Sequence, residues 1–345
     1  MRQVRSPDHE RQPSVHSVGR LAGVSASTVS AVFTGRVGVR PSTRAAVLAA
    51  AERLHYHPNP AARSLRTGHT NTIAFAVRDI AGATIPAVIR SALMTATDRG
   101  YELSLFDLAD DPEREVQFQR RLLQSPVSGA IIHSFRGEVG RYEAAIHRGV
   151  ALTFMDQRPT LEGVDFVSTE SRMGARLVVR HCAQGGRRRI GIIVGPQDQT
   201  IFRDRLSGYR EAVIDEGLIL DDRLIKIAPS SIDGASESVA ELIAQGDLPD
   251  AIYAASSLLS IGAFRALRRR GLRMPADIAF VGTGSIEWAD LIEPPLTMLG
   301  IPAAEIGRRA VELVLDRIER PGQSGRSVLI QPTLVVRRSS GGEPE

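Results

Sequence analysis

Cysteine is nearly missing from this chain. Cys182 is the single one in 345 residues, which excludes an internal disulfide framework and any zinc site built on paired thiolates. No stretch approaches the ~18–20 consecutive apolar residues that cross a bilayer. The N-terminus carries Arg2, Arg5, Asp8, Glu10 and Arg11 where a signal peptide needs an apolar run. A soluble, cytoplasmic protein with no membrane partner is expected. Catalytic signatures are missing too: there is no P-loop, no nucleophile elbow and no histidine pair at metal spacing. Gly282-Thr283-Gly284 is a fragment of a dinucleotide fingerprint, but it lacks the third glycine and lies late in the chain. Five of the eight histidines (His9, His16, His55, His57 and His69) fall in the first seventy residues, where solvent or a nucleic acid is a more natural neighbour than a substrate. No enzyme activity, cofactor or metal is expected.

What remains is an ordinary globular composition, 43% hydrophobic and 24% charged, long enough for two or three domains. The net charge of +4 is unevenly spread. Residues 1–70 hold ten arginines and three acids (Asp8, Glu10 and Glu52), a net of +7, which leaves −3 on the other 275 residues. A positive head on a slightly negative body suggests a module that faces a polyanion.

Residues 1–13, with two prolines and mixed charges, read as a disordered tail. Ser14 can then cap a helix that places Val15, Val18, Leu21 and Ala22 on one face. Gly23 ends it, Val24 plugs the turn, and Ser25 caps a second helix with Val29 and Val32 inward and Ala26, Ser27, Ser30 and Ala31 outward. Two short helices joined by a glycine-containing turn form a helix-turn-helix. Gly19, four residues before the turn glycine, falls where the helices touch. A third helix is expected from Pro41, with Val47, Ala50, Ala51 and Leu54 inward. Tyr56, Pro58, Asn59 and Pro60 stop it, and Ala61 to Gly68 is a linker or a segment that becomes helical on binding.

From Thr72 onward, short apolar runs alternate with amphipathic stretches. Strands are expected at Ile73–Val77, Leu103–Phe106, Gly129–Ile132 and Ala151–Met155, with helices near 85–99, 112–124 and 140–148. A second set follows at Ile190–Val194, Leu224–Ile227, Ala251–Tyr253 and Ile278–Val281, with helices near 171–184, 203–216, 233–245 and 258–270. This alternation predicts an α/β body with two parallel sheets. Ligands of such sheets bind outside the carboxyl ends of the strands.

The run VGRLAGVSASTVSAVFTG, followed by RPSTRAAVLAAAERLHYHPNPAARSLRTG, resembles the headpiece and hinge of the lac-repressor type (LacI/GalR) transcription regulators. The body resembles the same family in DDPERE at 110–115, VSGAII at 127–132, Phe154-Met155-Asp156 with Arg158, RDRLSGYREA at 203–212, Asp277 to Gly282, and Pro294 to Thr297. The resemblance spans about residues 14–339. It implies a three-helix headpiece at 14–58, a hinge helix at 59–71 and a body at 72–338 of two periplasmic-binding-protein-like subdomains. Those are expected near 72–166 plus 300–325 and near 167–299 plus 326–338, with a tail at 339–345. In function it implies a repressor, cytoplasmic and nucleoid-associated, that binds a palindromic operator in double-stranded DNA as a homodimer under control of a small-molecule effector. Without a heptad tail, a coiled-coil tetramer is not expected.

The resemblance also assigns residues. Ser14, Val15, Ser25, Thr28 and Ser30 fall among DNA contacts, and Ala26 and Ser27 match two base-reading positions. Ala31 stands where many members carry an arginine able to grip a guanine edge. Leu65, beside Asn59, Ala62 and Arg63, matches the hinge leucine that wedges into the minor groove. In the body, Arg205 matches a ligand-clamping arginine and Asp156 a polar ligand contact, unless the two pair with each other. Arg78 and Asp79 follow the first strand, where a charge could enter the cleft. Ser256-Ser257, Gly284 and Ile301 replace the family's usual polar residues. The effector is therefore expected to be anionic or less polar than a simple sugar, or effector control to be lost.

Overall fold

The computed structural model describes residues 13–33, 38–57, 70–133, 139–244, 246, 248–284 and 289–342. The chain divides into two units, Met1–Thr70 and Asn71–Glu345.

The first unit contains α1 (Val15–Ala22), α2 (Ala26–Phe33) and α3 (Pro41–Arg53). Ser14 and Ser17 form a reciprocal capping box at the start of α1, and Gly23 closes the helix at φ 68°. That left-handed conformation costs glycine nothing. Ser25 begins α2, its hydroxyl accepting the Thr28 N–H at 3.2 Å. Val18, Val29, Val32, Val47, Ala50 and Ala51 close into one core. Leu21 is a correction: it is 43% exposed, one position outside the stripe of Val15, Val18 and Ala22 that packs inward.

The second unit holds two six-stranded sheets. The first has β1 (Thr72–Val77), β2 (Glu102–Asp107), β3 (Gly129–His133), β4 (Ala151–Met155), β5 (Asp165–Thr169) and, much later, β11 (Ser327–Ile330), in the order β11-β5-β4-β3-β1-β2. The second has β6 (Ile190–Val194), β7 (Ile225–Ile227), β8 (Ala251–Ala254), β9 (Ala279–Thr283), β10 (Thr297–Gly300) and β12 (Thr333–Val335), in the order β12-β10-β9-β8-β6-β7. Within these sheets only the β10–β12 pair is antiparallel among the described residues.

Helices cover both faces of each sheet. They are α4 (Ile85–Asp98), α5 (Pro112–Gln124), α6 (Val139–His147), α7 (Ser171–Gln184), α8 (Thr200–Asp215), α9 (Ile232–Ala244), α10 (Ser257–Arg269) and α11 (Ala303–Glu319). Strand β1 shows why its sequence is continuously apolar. Ile73, Phe75 and Val77 pack under α4 and α11, whereas Ala74 and Ala76 face Phe118, Leu122, Tyr142 and Phe154 on the opposite side. Close helix contacts depend on glycine: a Cβ on Gly208 of α8 would sit 2.1 Å from the Arg172 carbonyl oxygen of α7.

Three expectations are corrected. Leu224 lies in a 3-10 turn, Asp222–Leu224, because the Asp221 carboxylate caps the Arg223 N–H and delays the strand to Ile225. The lobe boundaries at 166/167 and 325/326 cut through or precede strands of the first sheet: β5 runs to Thr169, and β11 pairs with β5. The chain therefore crosses between lobes after Thr169, between Gly300 and Ala303, and between Ile330 and Thr333. The expected tail at 339–345 begins as structure, since Ser339 is fully buried and its hydroxyl donates to the Phe280 carbonyl at 2.7 Å.

The first lobe is thus assembled from two stretches of chain, and one buried carboxylate joins them. Asp165, at the start of β5, accepts the Arg317 guanidinium of α11 at 2.9 and 3.0 Å. It also accepts the backbone N–H of Arg326, ahead of β11, at 2.9 Å and its guanidinium at 3.1 and 3.2 Å. Burial raises the Asp165 pKa, but the hydrogen bonds and charge of the two arginines outweigh it and hold the carboxyl below its ordinary value. With the folded pKa depressed, this contribution is complete above the ordinary carboxylate range and is lost as pH falls through the folded value. Asp165→Asn, which leaves Arg317 buried without its counter-charge, is expected to lower body stability by about 3–5 kcal/mol at neutral pH. Denaturant unfolding checks this, and a loss under about 1 kcal/mol contradicts it.

Candidate nucleic-acid interface and ligand cleft

In the first unit the start of α2 and the turn before it form an exposed polar surface. Ser25, Ser27 and Thr28 link their hydroxyls at 2.7 and 2.8 Å, and Ser14, His16, Ser17, Arg20 and Ala26 border the same open concavity. None of α1, α2 and α3 carries an acid in its first turn. Five of the eight helices of the second unit lack one as well, so what sets the helix-turn-helix apart is that residues 13–33 contain no acidic side chain at all. Ser14 and Ser27 are exposed, while Val15, Ala26, Thr28, Ser30 and Ala31 are half-buried. Asn59, Ala62, Arg63 and Leu65 lie outside the described residues.

The helix pair is held by Gly19. A Cβ at this position would stand 2.7 Å from the Val24 carbonyl oxygen, the first residue past the turn. Gly19→Val should force α1 and α2 apart, at a cost of about 1–3 kcal/mol.

In the second unit, residues beyond the carboxyl ends of both sheets meet in a cavity of about 180 Å³, smaller than the ~300–1,000 Å³ of most ligand sites. Thr84, Ile85, His133, Met155, Asp156 and Thr169 come from the first lobe; Ile201, Arg205, Ser230, Ser256, Ser257, Leu258 and Thr283 from the second; Ile301 lies in the second crossing and Ile306 in α11 just after it.

Asp156 is placed by backbone geometry. Directly after β4 it adopts φ 60°, a left-handed conformation that aspartate tolerates better than most residues. Its Oδ1 accepts the Ser168 hydroxyl at 2.8 Å, and its Oδ2 lies 3.3 Å from Nε2 of His133. Burial raises the Asp156 pKa, but hydrogen bonds from His133 and Ser168 and the nearby positive charge of Arg205 leave it below its ordinary value. Arg205 is 4% exposed. Its Nη1 donates to the Ala255 carbonyl at 2.6 Å, it lies over the Phe202 ring, and its Nε is buried without a partner. Among the described residues no ion pair joins Arg205 to Asp156, so the structural pairing of these two is not realised.

The other expected contacts separate. Ser256 lines the cavity but also caps α10, its hydroxyl accepting the Leu259 N–H at 3.3 Å. Gly284, at φ 119°, presses against Ser257, where a Cβ would come within 2.1 Å of its hydroxyl; it stands behind the cavity wall. Asp79 is exposed and accepts the Ala81 N–H. Arg78 is drawn to Asp110 at 2.8 Å and to the Gln199 side chain of the opposite lobe. Gln157 accepts the Thr200 N–H at 2.8 Å, and Thr84 lies 3.4 Å from Ser257. These three contacts span the cleft.

His133 is the site residue that pattern reading missed. A histidine ending a buried strand carries no periodic signal, and only its position after the apolar run GAII, at a strand's carboxyl end, could have marked it.

A helix-turn-helix unit and a two-lobed α/β body with an inter-lobe cavity define the class: a DNA-binding regulator with a small-molecule site. Residues 14–59 match the family described as bacterial regulatory proteins, lacI family, and residues 179–340 match the periplasmic binding protein-like domain. The ribose operon repressor of Haemophilus influenzae is 30% identical over 328 residues, 94% of this chain and 98% of that one. The solved complex of the transcriptional regulator CelR with cellobiose is 29% identical, with a TM-score of 0.73 over 95% of this chain and 99% of that chain. The lac repressor dimer bound to operator and the anti-inducer ONPF shares the fold, with a TM-score of 0.83 at 24% identity over 96% and 99% of the two chains. This chain belongs to the LacI family of transcription regulators; it is a repressor-type DNA-binding protein, not an enzyme. No helix among the described residues is long and apolar enough to cross a membrane.

The Gly19→Val variant is accordingly expected to lose at least about tenfold in DNA affinity, the equivalent of 1.4 kcal/mol, in a gel-shift titration. Wild-type affinity in that variant would contradict the tight contact.

Proposed function

We propose that this protein is a cytoplasmic, dimeric repressor that binds a near-palindromic operator and is controlled by a small molecule held between the lobes of its body. The observation that carries this reading is the joint presence of a serine-rich, acid-free helix-turn-helix surface and a cleft lined from both lobes. In the proposed dimer, two recognition helices address half-sites about one helical turn apart. Thr28 and Ser30 orient the headpiece on phosphates, and Ala26 and Ser27 read base edges. Ala31 supplies no bidentate guanine contact, so the operator draws more of its specificity from the central step and from DNA bending.

The contacts across the cleft, Arg78 with Gln199 and Gln157 with the start of α8, are made between the two lobes. A ligand that fits one relation of the lobes better than another shifts the equilibrium between them. Transmission to the hinge segment, with Asn59, Ala62, Arg63 and Leu65, is then an order-disorder switch. Ser256, Ser257 and Ile301 on the cavity wall favour an effector other than an unmodified hexose, and tight calorimetric binding of such a sugar would count against this.

Selecting genomic fragments retained by the full-length protein tests the function directly. The expected result is enrichment of a near-palindrome; retention without any common sequence would refute operator binding. With two arginine-rich heads, the logarithm of operator affinity should fall against the logarithm of salt concentration with a slope of about −6 or steeper. A slope shallower than about −2 contradicts the electrostatic role of the heads. Leu65→Ala should weaken operator binding far more than non-specific binding, and equal losses would sink the wedge assignment.

A further inference from the structure

The outward face of α2 is short of reach. In the proposed reading of the head it meets DNA with Ala26, Ser27, Thr28, Ser30 and Ala31, none of them longer than a threonine. Hydroxyls bond to several kinds of base edge, and an alanine does no more than touch a thymine methyl. The most discriminating contact, a forked donor set on O6 and N7 of one guanine, has no source among these five residues.

Longer side chains border this surface from α1. Val15, Val18 and Ala22 pack into the core of the unit, which turns His16 and Arg20 outward, both exposed and one helical turn apart. The two line an open concavity together with Ser25 and Ala26. Small residues make room for it. Gly19 lets α1 approach the Val24 carbonyl so closely that a Cβ would stand 2.7 Å from its oxygen, and Ala26 has no atom beyond Cβ to fill the hollow. Arg20 carries the one guanidinium among the lining residues, and residues 13–33 hold no acidic side chain to neutralise it. Its place in the last turn of α1 also suits the negative end of that helix, but that role carries no base preference.

Resting on the reading of α2 as the helix that enters the major groove, we propose that Arg20 is a specificity-determining residue of this repressor. Its guanidinium extends from α1 past Ala26 and donates to O6 and N7 of a guanine that α2 itself does not grip. The forked contact that Ala31 does not supply comes instead from the neighbouring helix, once in each half-site.

Selection from a randomised pool of duplexes by the full-length protein, run in parallel with Arg20→Met, tests this. The wild-type consensus should hold a guanine in each half-site that the variant's consensus leaves unspecified, with the other positions unchanged. On the wild-type operator the variant should lose about 5- to 150-fold in affinity for each half-site, and on duplexes with that guanine replaced the two proteins should bind alike. A probe with 7-deazaguanine at the position, which lacks the N7 acceptor, should weaken wild-type binding about fivefold or more and leave the variant unaffected. This wild-type measurement stands even if the variant fails to fold. A phosphate contact would instead lower affinity equally on every sequence and make the salt slope shallower by about one for each subunit. That result, a consensus unchanged by Arg20→Met, or a wild-type operator with no guanine sensitive to 7-deaza substitution would each overturn the proposal. A wild-type consensus that the variant reproduces refutes the role of Arg20 alone; failure of the wild-type protein to select any common sequence refutes operator binding itself.

Discussion

The fully buried carboxylate of Asp165, gripped by two arginines, is the constraint on which the body depends. The first lobe comprises residues on either side of most of the second lobe, so the chain must leave and return before its sheet is complete. Asp165 ends the outward stretch and binds Arg317 and Arg326 from the returning one. Such a pair costs desolvation to form and costs more to break on one side. Its value here is registration: it sets α11 and β11 against β5 and, through α11, sets Ile306 against the cavity. The first lobe's share of the cleft, Asp156 after β4 and His133 at the end of β3 included, is positioned on that completed sheet.

From this scaffold the chemistry follows by subtraction. Arg78 could have entered the cleft, but Asp110 and Gln199 hold it at the mouth. Asp156 already accepts the Ser168 hydroxyl on one oxygen and faces His133 with the other. Arg205 lies between the Ala255 carbonyl and the Phe202 ring, with its Nε buried and unpartnered. Among the described residues the cavity wall thus combines one carboxylate and one buried guanidinium with the hydroxyls of Thr84, Thr169, Ser230, Ser256, Ser257 and Thr283 and a set of apolar side chains. In the head the same logic applies to charge: a helix-turn-helix segment without acidic side chains and a surplus of arginine suit phosphates, while the mildly acidic body does not.

What could be read from the sequence was local. Ser14, Gly19, Gly23, Ser25 and Val29 are close neighbours in the chain, so their spacing alone defines caps, turn and contact. Strands buried on both faces, such as Thr72–Val77, announce themselves as apolar runs. The strands at the crossings did not. Asp165 opens β5 with a charge, and β11 and β12 alternate exposed and half-buried residues after a long detour of the chain. The cleft was legible in part: Arg205 and Asp156 stood out through the family resemblance, whereas Arg78 was misread because Asp110 lies far along the chain. His133 was invisible because what places it at the site is its approach to Asp156, distant in the chain.

The link between cleft and DNA is the core of the regulatory picture, and one titration addresses it. Operator affinity of the full-length protein is measured with the cleft empty and with it saturated by a compound shown calorimetrically to bind there. A change of about fivefold or more in either direction, abolished by Arg205→Met, is expected. Identical operator affinity in the empty and saturated states would contradict coupling between the two sites.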